Sequence, residues 1–251
     1  MIIWALFDSG NGSYYQVAKD MDGVEIYSVG IDRENKNDHF INLDLADYSR
    51  LFGDNKLFDE LDELPKPDLI IASPPCESWS VASAMPNGNA CWKQDELENL
   101  FGTMKGSMFT VRNYDEYEEY QFFPRKQLLT RVNGELTIFN TIEIIDRYQP
   151  NFYIIENPAT SRVWEYIEKI LGFKIRFDNL TYYSAYDYPV MKPTRFGSNL
   201  NLNLSKERVK TDINMNNFHG YNNRSNIPHN LVEVILEKVK KEIEEGRVWE
   251  Y

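Results

Sequence analysis

The sequence is poor in cysteine and in long apolar runs. Two cysteines among 251 residues do not make a disulfide framework, and such low usage is typical of a reducing cytoplasm. No apolar run approaches the roughly 20 residues that a membrane-spanning helix needs, and the first residues lack the basic and apolar regions of a signal peptide. We therefore expect a cytoplasmic protein without a membrane partner.

Basic residues are also in the minority. The formal net charge of −12 argues against a nucleic-acid partner, because phosphate binding usually requires clustered lysine and arginine. The charge is unevenly distributed, however: residues 1–68 carry 15 acids and six bases, whereas residues 192–224 carry two acids and six bases. A substrate phosphate would prefer the C-terminal third, although a solvated acidic surface with a mildly basic loop explains the same distribution.

Short apolar runs alternate with helical patterns along most of the chain. Strands are predicted over 2–7, 25–31, 40–43, 68–72 and 151–155, with two short ones near 173–184. Helices are predicted over 13–22, 125–148, 160–171 and 228–245. This order, with glycine at the first turn, predicts an α/β fold with a parallel sheet.

Residues 85–124 do not follow this pattern. They mix proline, glycine, asparagine and acids with scattered aromatic residues, and no period dominates. We interpret them as an inserted loop or lid, since long loops in compact domains are usually functional or disordered. Five aromatic side chains there either stack on bases or pack within the lid: Trp92, Phe101, Tyr114, Tyr117 and Tyr120.

Polar features collect at the carboxyl ends of the predicted strands, where an open parallel sheet binds its ligands. Gly10 and Gly12 follow the first strand and allow close approach of a ligand to the backbone at a helix N-terminus. Asp32, about 20 residues later, is placed to accept hydrogen bonds from ribose hydroxyls. Glycines alone fit a simple tight turn, but together with the acid they favour cofactor binding.

Cys76 is the sharpest chemical signal. It follows Pro74 and Pro75 at the end of a buried strand, which would hold it rigidly at the mouth of the ligand crevice. Its thiolate would be a strong nucleophile if neighbouring groups lowered its pKa. A buried structural cysteine is the alternative, but the polar segment after Cys76 argues against a core position. Cys91 lacks such a setting and is interpreted as structural.

These segments resemble the DNA cytosine-5 methyltransferase family, in particular its compact phage-encoded members. Residues 73–80 (Ser-Pro-Pro-Cys-Glu-Ser-Trp-Ser) resemble the family's Pro-Pro-Cys-Gln-x-Phe-Ser motif, and Glu156-Asn157-Pro158 is similar to its Glu-Asn-Val motif. Residues 188–195 are similar to the segment carrying the family's arginine, and residues 224–228 resemble its final motif. The family order is kept over essentially the whole chain. The resemblance implies a Rossmann-like class I methyltransferase fold, with a mostly parallel central sheet and helices on both faces.

The resemblance also implies an enzyme that methylates cytosine C5 in DNA with S-adenosyl-L-methionine, as restriction–modification methyltransferases do. Cys76 would add to C6 of a cytosine flipped out of duplex DNA. Glu156 would hydrogen-bond the base, and Asn157 would hold the loop. Arg195 would stabilise the developing charge. No metal is implied.

The cofactor would bind at the ends of the first four strands. The implied residues are Phe7, Asp8, Ser9, Gly10, Gly12, Asp32, Asp44 and Pro74. Alignment on the two glycines puts Asp8 where the family has a stacking phenylalanine, whereas alignment on Phe7 requires a one-residue insertion; we favour Phe7 against the adenine. Between Asn42 and Asp44 we favour Asp44, because a carboxylate can accept a hydrogen bond from the adenine amine.

Size is the largest departure from the family. Members that read a DNA sequence carry a separate recognition domain between the arginine motif and the final motif. Here that interval is residues 196–223, too short for an independent core. We therefore predict one methyltransferase domain over 1–251, with 196–223 as a reduced target-recognition segment and 85–124 as an insertion. RNA cytosine methylation and a non-catalytic methyltransferase-like binding module are the alternatives. Amino methylation is disfavoured, since its motif carries an aromatic residue where Cys76 lies.

Overall fold

The computed structural model of the protein describes seven stretches of the chain. They are residues 1–8, 10–32, 34–80, 91–98, 105–112, 124–213 and 225–246. Ser9 and Arg224 therefore lie outside the described residues, as do Phe101, Tyr114, Tyr117 and Tyr120 of the predicted insertion.

Nine strands and five α-helices are described. The strands are β1 (Ile2–Leu6), β2 (Glu25–Gly30), β3 (Phe40–Asn42), β4 (Leu69–Ala72), β5 (Trp92–Glu98), β6 (Lys105–Val111), β7 (Phe152–Pro158), β8 (Phe177–Tyr182) and β9 (Pro193–Ser198). The helices are α1 (Ser13–Ala18), α2 (Lys56–Asp62), α3 (Pro124–Tyr148), α4 (Val163–Lys169) and α5 (His229–Glu244). Two 3₁₀ turns cover Ser49–Phe52 and Tyr183–Tyr186.

Seven strands form one mostly parallel sheet in the order β3-β2-β1-β4-β7-β9-β8. Strands β3, β2, β1, β4 and β7 pair in parallel, whereas β9 pairs antiparallel with both β7 and β8. The carboxyl ends of β1, β2, β4 and β7 therefore meet at one edge of the sheet. That edge is where the predicted site residues lie.

Helices cover both faces of the sheet because side chains alternate along its buried strands. On β1, Trp4 and Leu6 pack on the face covered by α2, α3 and α4, and Ile3 and Ala5 pack on the face covered by α1 and α5. All four side chains are fully buried. The predicted Rossmann-like α/β architecture, a mostly parallel central sheet with helices on both faces, is confirmed.

Two segments depart from the sequence prediction. Residues 91–112 include an antiparallel pair, β5 and β6, where a loop was predicted; its register runs from Trp92 opposite Val111 to Glu98 opposite Lys105. Near 173–184 the structure has the single strand β8, and the chain then returns as β9, which the sequence did not predict. Strand β9 places Arg195 beside Asn157 in the register.

Within the described ranges, no helix has the length and apolar character needed to cross a membrane. Among the same residues, no group of three or more His, Cys, Asp or Glu side chains could hold a metal ion.

Candidate active site

Cys76 lies in a tight turn that directly follows β4. Its carbonyl oxygen accepts hydrogen bonds from the backbone N–H groups of Trp79 (3.1 Å) and Ser80 (2.9 Å), so the chain folds back on itself at this point. The side chain is half-buried and forms no disulfide. Burial raises the pKa of the thiol to about 11; the charge of Lys192 opposes this rise, and Glu77 and Glu156 add to it.

The turn is held from three sides. The carbonyl oxygen of Trp79 accepts a 2.9 Å hydrogen bond from the N–H of Arg162, before α4, and that of Ser78 accepts a 3.0 Å bond from Cys91 at the base of β5. On the third side the turn packs on Gly134 of α3, where an added Cβ would lie 2.0 Å from the Ser78 hydroxyl oxygen. Gly134, a weak point in the predicted helix, is therefore the position that lets the Cys76 turn approach α3.

Aromatic rings join the base of the β5–β6 pair to the Cys76 turn. Trp92 stacks on Phe109 with ring centroids 4.7 Å apart and on Trp79 at 6.1 Å, and Tyr166 contacts both tryptophans. Trp92 is buried, so its ring packs inside the protein and is not available to stack on a base. Cys91 is buried as well, with its sulfur 3.6 Å from the carbonyl oxygen of Gln127.

Glu156 is a buried carboxyl group near the end of β7. The hydroxyl of Tyr183 donates to its Oε1 at 3.2 Å, and Ser73 is a further hydrogen-bond partner. Ser73 in turn shares a 2.7 Å hydrogen bond with the hydroxyl of Tyr14, from α1. Burial raises the pKa of Glu156, and the charge of Lys192 is the largest effect that opposes the rise.

Asn157, the next residue, points to the opposite face of β7 and is fully buried. Its side-chain amide donates a 2.9 Å hydrogen bond to the carbonyl oxygen of Pro74. This bond joins the end of β7 to the turn that carries Cys76, two residues beyond Pro74. The structure thus brings together Cys76, Glu156 and Asn157.

Arg195 lies opposite Asn157 in the pairing of β7 with β9, but its side chain is on the face of the sheet away from Glu156. Its guanidinium forms an ion pair with Asp178 of β8 and lies 4.2 Å from the ring centroid of Trp164 of α4. Trp164 belongs to the core on one face of the sheet, whereas Tyr14 and Tyr183, the neighbours of Glu156, belong to the core on the other. Burial lowers the pKa of Arg195, and Asp178 opposes that effect most strongly.

A cleft next to the Cys76 turn is lined by four of the eight predicted cofactor residues, namely Phe7, Asp8, Asp32 and Asp44. Its lining includes residues from the ends of β1, β2 and β3, from the turn after β4 and from α3: Phe7, Asp8, Gly30, Ile31, Asp32, Leu43, Asp44, Leu45, Pro75, Asn133 and Thr137. Pro75 rather than Pro74 lines it, because Pro74 is buried and turned towards Asn157. Cys76 follows Pro75 directly, so the cleft and the thiol are adjacent along the chain.

The glycine turn is fixed by Asp32. The N–H of Gly10 donates a 2.7 Å hydrogen bond to the Asp32 carboxylate, and a Cβ at Gly10 would lie 2.6 Å from the same oxygen. Gly12 has a positive φ of 56°, which favours glycine, and it immediately precedes α1. The turn predicted from the glycines is therefore tied to the predicted ribose acid.

Asp8 has a structural role in addition to its place in the cleft lining. It is buried and accepts a 2.8 Å hydrogen bond from the hydroxyl of Ser28 and a 3.4 Å bond from the N–H of Tyr14. Burial raises the pKa of Asp8 to about 6, although these hydrogen bonds act to lower it. Phe7, directly before it, adopts a positive φ of 61°. Non-glycine residues rarely adopt this conformation, and it often marks a functional position.

The residues of the cleft fit an adenosine-containing cofactor. Phe7, Leu43 and Leu45 provide apolar surface for the faces of a purine. The two carboxylate oxygens of Asp32 accept hydrogen bonds from the backbone N–H groups of Gly10 (2.7 Å) and Glu34 (3.1 Å). Each oxygen retains a lone pair that can accept a hydrogen bond from a ribose hydroxyl. Asp44 also lines the cleft, and its side chain is exposed to solvent.

No family model matches the chain, and no curated protein matches it significantly. Solved structures do match it. They include a candidate DNA modification methyltransferase encoded within an E. coli prophage (15% identity, TM-score 0.41) and the S. pombe Dnmt2 methyltransferase (14%, 0.41). The Entamoeba histolytica methyltransferase EhMeth is a third (13%, 0.41).

The chain spans about half the length of these structures. The alignments cover 79%, 87% and 84% of this chain but 46%, 53% and 57% of the respective matched chains. With identities this low, the function must be argued from the residues of this chain.

Two residues of the site were not predicted from the sequence. Tyr183 is the hydrogen-bond donor to Glu156, and Lys192 is the cation whose charge acts on both Cys76 and Glu156. Lys192 belongs to the segment that resembles the family's arginine motif, so that segment carried the signal for a cation. Tyr183 had no signal, because a tyrosine in a 3₁₀ turn has no characteristic spacing from a distant glutamate.

Proposed function

We propose that this protein is an S-adenosyl-L-methionine-dependent methyltransferase that methylates C5 of cytosine in DNA, with Cys76 as the nucleophile. The observation that carries the proposal is the convergence of Cys76, Glu156 and Asn157 beside the cleft that Pro75 lines. A nucleophile, a buried acid and a residue that holds the nucleophile's turn are the groups this reaction needs. S-Adenosyl-L-methionine, when bound, supplies an electrophilic methyl group.

Cys76 has the first task. Cytosine C5 is a poor nucleophile, and addition of a thiolate to C6 makes C5 resemble an enamine carbon. The Sγ–C6 bond forms as the C5–C6 double bond opens and N3 takes the Glu156 proton. C5 then takes the methyl group, and the donor is left as a neutral thioether. A solvent base removes the C5 proton as the Sγ–C6 bond breaks, which restores the thiolate, and N3 returns its proton to Glu156. Because burial raises the pKa of the thiol to about 11, only a small fraction is ionised at neutral pH. The thiol proton therefore has to leave before the Sγ–C6 bond forms, and the positive charge of Lys192 favours that loss.

Glu156 has the second task. A carboxyl group whose pKa is raised by burial retains its proton closer to neutral pH, so it can donate that proton to N3 of the base as the thiolate adds. The hydroxyl of Tyr183 holds one carboxyl oxygen at 3.2 Å and fixes the orientation of the acid. The reaction thus has an acid for the ring and a nucleophile for C6, and the two groups are near enough for the charge of Glu156 to act on Cys76.

A cytosine inside a duplex cannot reach a half-buried thiol, so a flipped base is part of the proposal. RNA cytosine methylation uses the same groups and is an outcome of the test rather than a second proposal. The predicted segments 196–223 and 85–124 remain candidates for target recognition. Trp92 is excluded from base stacking by its burial.

The test is transfer of label from S-adenosyl-L-methionine with a tritiated methyl group to unmodified duplex DNA or to cytosine-containing RNA. The proposal predicts 5-methylcytosine in DNA for the wild type and none for Cys76→Ala. Cys91→Ala is the matched control, because Cys91 is the other cysteine and packs against Gln127 rather than in the pocket. Label in RNA alone would assign the substrate to RNA. Binding of the methyl donor without label in either nucleic acid would favour the non-catalytic module.

A further inference from the structure

Lys192 lies next to Tyr183, the hydrogen-bond donor to Glu156. Its ammonium is 4.9 Å from the ring centroid of Tyr183, and its carbonyl oxygen accepts a 3.1 Å hydrogen bond from the Tyr183 N–H. The Tyr183 hydroxyl in turn donates to Glu156 at 3.2 Å. Ammonium, ring and carboxyl therefore follow one another in space, and Tyr183 is the residue that both others contact.

Arg195 is directed elsewhere although it is only three residues away. In the pairing of β9 with β7, Arg195 lies opposite Asn157 and Phe196 lies opposite Glu156, so the Arg195 side chain shares the face of Asn157 and not that of Glu156. In agreement with this, Arg195 contacts Asp178 and Trp164 on the other face of the sheet. An arginine held by a carboxylate there cannot also reach Glu156 without giving up that ion pair.

The charges around Cys76 and Glu156 are consistent with this arrangement. Burial raises the pKa of both groups, and for both the largest opposing effect is the charge of Lys192. Glu77 and Glu156 act in the other direction on Cys76. Removal of Lys192 would leave the thiol facing two acids.

We propose that Lys192, rather than Arg195, is the cation that serves Cys76 and Glu156, and that it acts as a positioning residue that stabilises negative charge on both. The inference rests on the proposed function for its meaning in catalysis. Its physical content is independent of that function, because it concerns the reactivity of a thiol in the ligand-free protein. Arg195 then has a structural role, joining β9 to β8 and α4.

The experiment measures the rate of Cys76 alkylation by iodoacetamide between pH 7 and 9.5, in a Cys91→Ala background that leaves one thiol. Far below its pKa, a thiol reacts in proportion to its thiolate fraction. We expect Lys192→Gln to lower the rate at each pH by roughly threefold to tenfold, the effect of a pKa rise of about half a unit to one unit. Lys192→Arg should restore the rate, because it returns the charge.

Arg195→Lys is the matched control, since it changes a cation three residues away and keeps a partner for Asp178. Its alkylation profile should coincide with that of the parent. An unchanged rate in Lys192→Gln, or a shift in Arg195→Lys instead, would overturn the inference. Should Lys192→Gln fail to fold, Lys192→Met removes the same charge with an apolar side chain, and the same decrease is required of it. The alkylation rates are measured without DNA or methyl donor, so they test the inference even if no variant methylates DNA. A failure to methylate would count against the proposed function only.

Discussion

The side-chain amide of Asn157 donates a 2.9 Å hydrogen bond to the carbonyl oxygen of Pro74. Both groups are buried, and the bond connects β7 to the turn after β4. Parallel strands β4 and β7 are already neighbours in the sheet, so the bond extends their pairing beyond the last ladder position, Ala72 opposite Ile155. The position of Cys76 is thus set by the strand that carries Glu156.

Asn157→Ala should loosen this connection. It leaves a buried carbonyl oxygen without its partner, so we expect the free energy of unfolding to fall by about 1–3 kcal/mol. We also expect a fall in kcat of methylation that exceeds any change in KM for the methyl donor, because the cleft is untouched. Asn151→Ala is the control: Asn151 precedes the same strand and its amide lies 3.4 Å from Asp68, away from the site. Equal activity of the two variants would show that the bond does not position Cys76.

Gly134→Ala tests the contact between α3 and the Cys76 turn. Alanine is normally favoured over glycine inside a helix by about 1 kcal/mol. Here the added methyl group would lie 2.0 Å from the Ser78 hydroxyl oxygen and 3.0 Å from Nε1 of Trp79. We therefore expect destabilisation of about 1–3 kcal/mol in chemical denaturation, with lower activity. Leu129→Ala, at an exposed position of the same helix, should change stability little; a stabilised Gly134→Ala would refute the close approach.

Glu156→Gln should lower methylation without lowering the stability of the fold at neutral pH. Glutamine can still accept from the Tyr183 hydroxyl but cannot transfer a proton, so methylation should fall by roughly 10²–10⁴-fold. The raised pKa means that the folded protein binds this proton more tightly than the unfolded chain, so wild-type stability decreases as the pH rises above the ordinary glutamate range. The stability of Glu156→Gln relative to wild type should therefore increase with pH. A variant that is fully active, or that becomes relatively less stable at higher pH, would contradict this role.

Asp8→Asn, a change in the cofactor cleft, should alter how the free energy of unfolding depends on pH. The pKa of Asp8 is raised from 3.8 to about 6, so the contribution of Asp8 to wild-type stability is fully present below pH 3.8 and is lost as the pH rises through 6. Over that window the unfolding free energy of Asp8→Asn minus that of wild type should grow, by an amount on the order of 3 kcal/mol at most. Denaturant titrations at pH 4, 5, 6 and 7 measure it. A constant difference would mean that Asp8 is not buried as a poorly ionised acid.

Much of the fold was predictable because its signal is local. Strands β1, β2 and β4 are apolar runs that end in turn residues, and helix α3 begins and ends within a residue of its predicted bounds. Strand β9 was missed because Pro193 and Gly197 both disfavour a strand in isolation. It forms because it pairs with β7 and β8 on both sides, which local preference does not reveal.

The candidate site was predictable where it depends on strand ends. Cys76, Glu156 and Asp32 each follow or end an apolar run, and parallel strands bring such positions to one edge. The side-chain direction of Arg195 could not be predicted, because it depends on the unpredicted strand β9 and on a partner, Asp178, in another strand. Lys192 was overlooked because its place near Glu156 depends on its contacts with Tyr183, which no local pattern reveals.

Covalent trapping on DNA that contains 5-fluorocytosine tests the central proposal most directly. The fluorine at C5 cannot leave as the proton does, so the Cys76–C6 bond, once formed and followed by methyl transfer, should persist. With S-adenosyl-L-methionine and long fluorocytosine-substituted DNA of mixed sequence, we predict a denaturation-resistant protein–DNA complex for wild type and Cys91→Ala, and none for Cys76→Ala. Methylation of ordinary DNA without such a complex, or a complex formed by Cys76→Ala, would contradict Cys76 as the nucleophile.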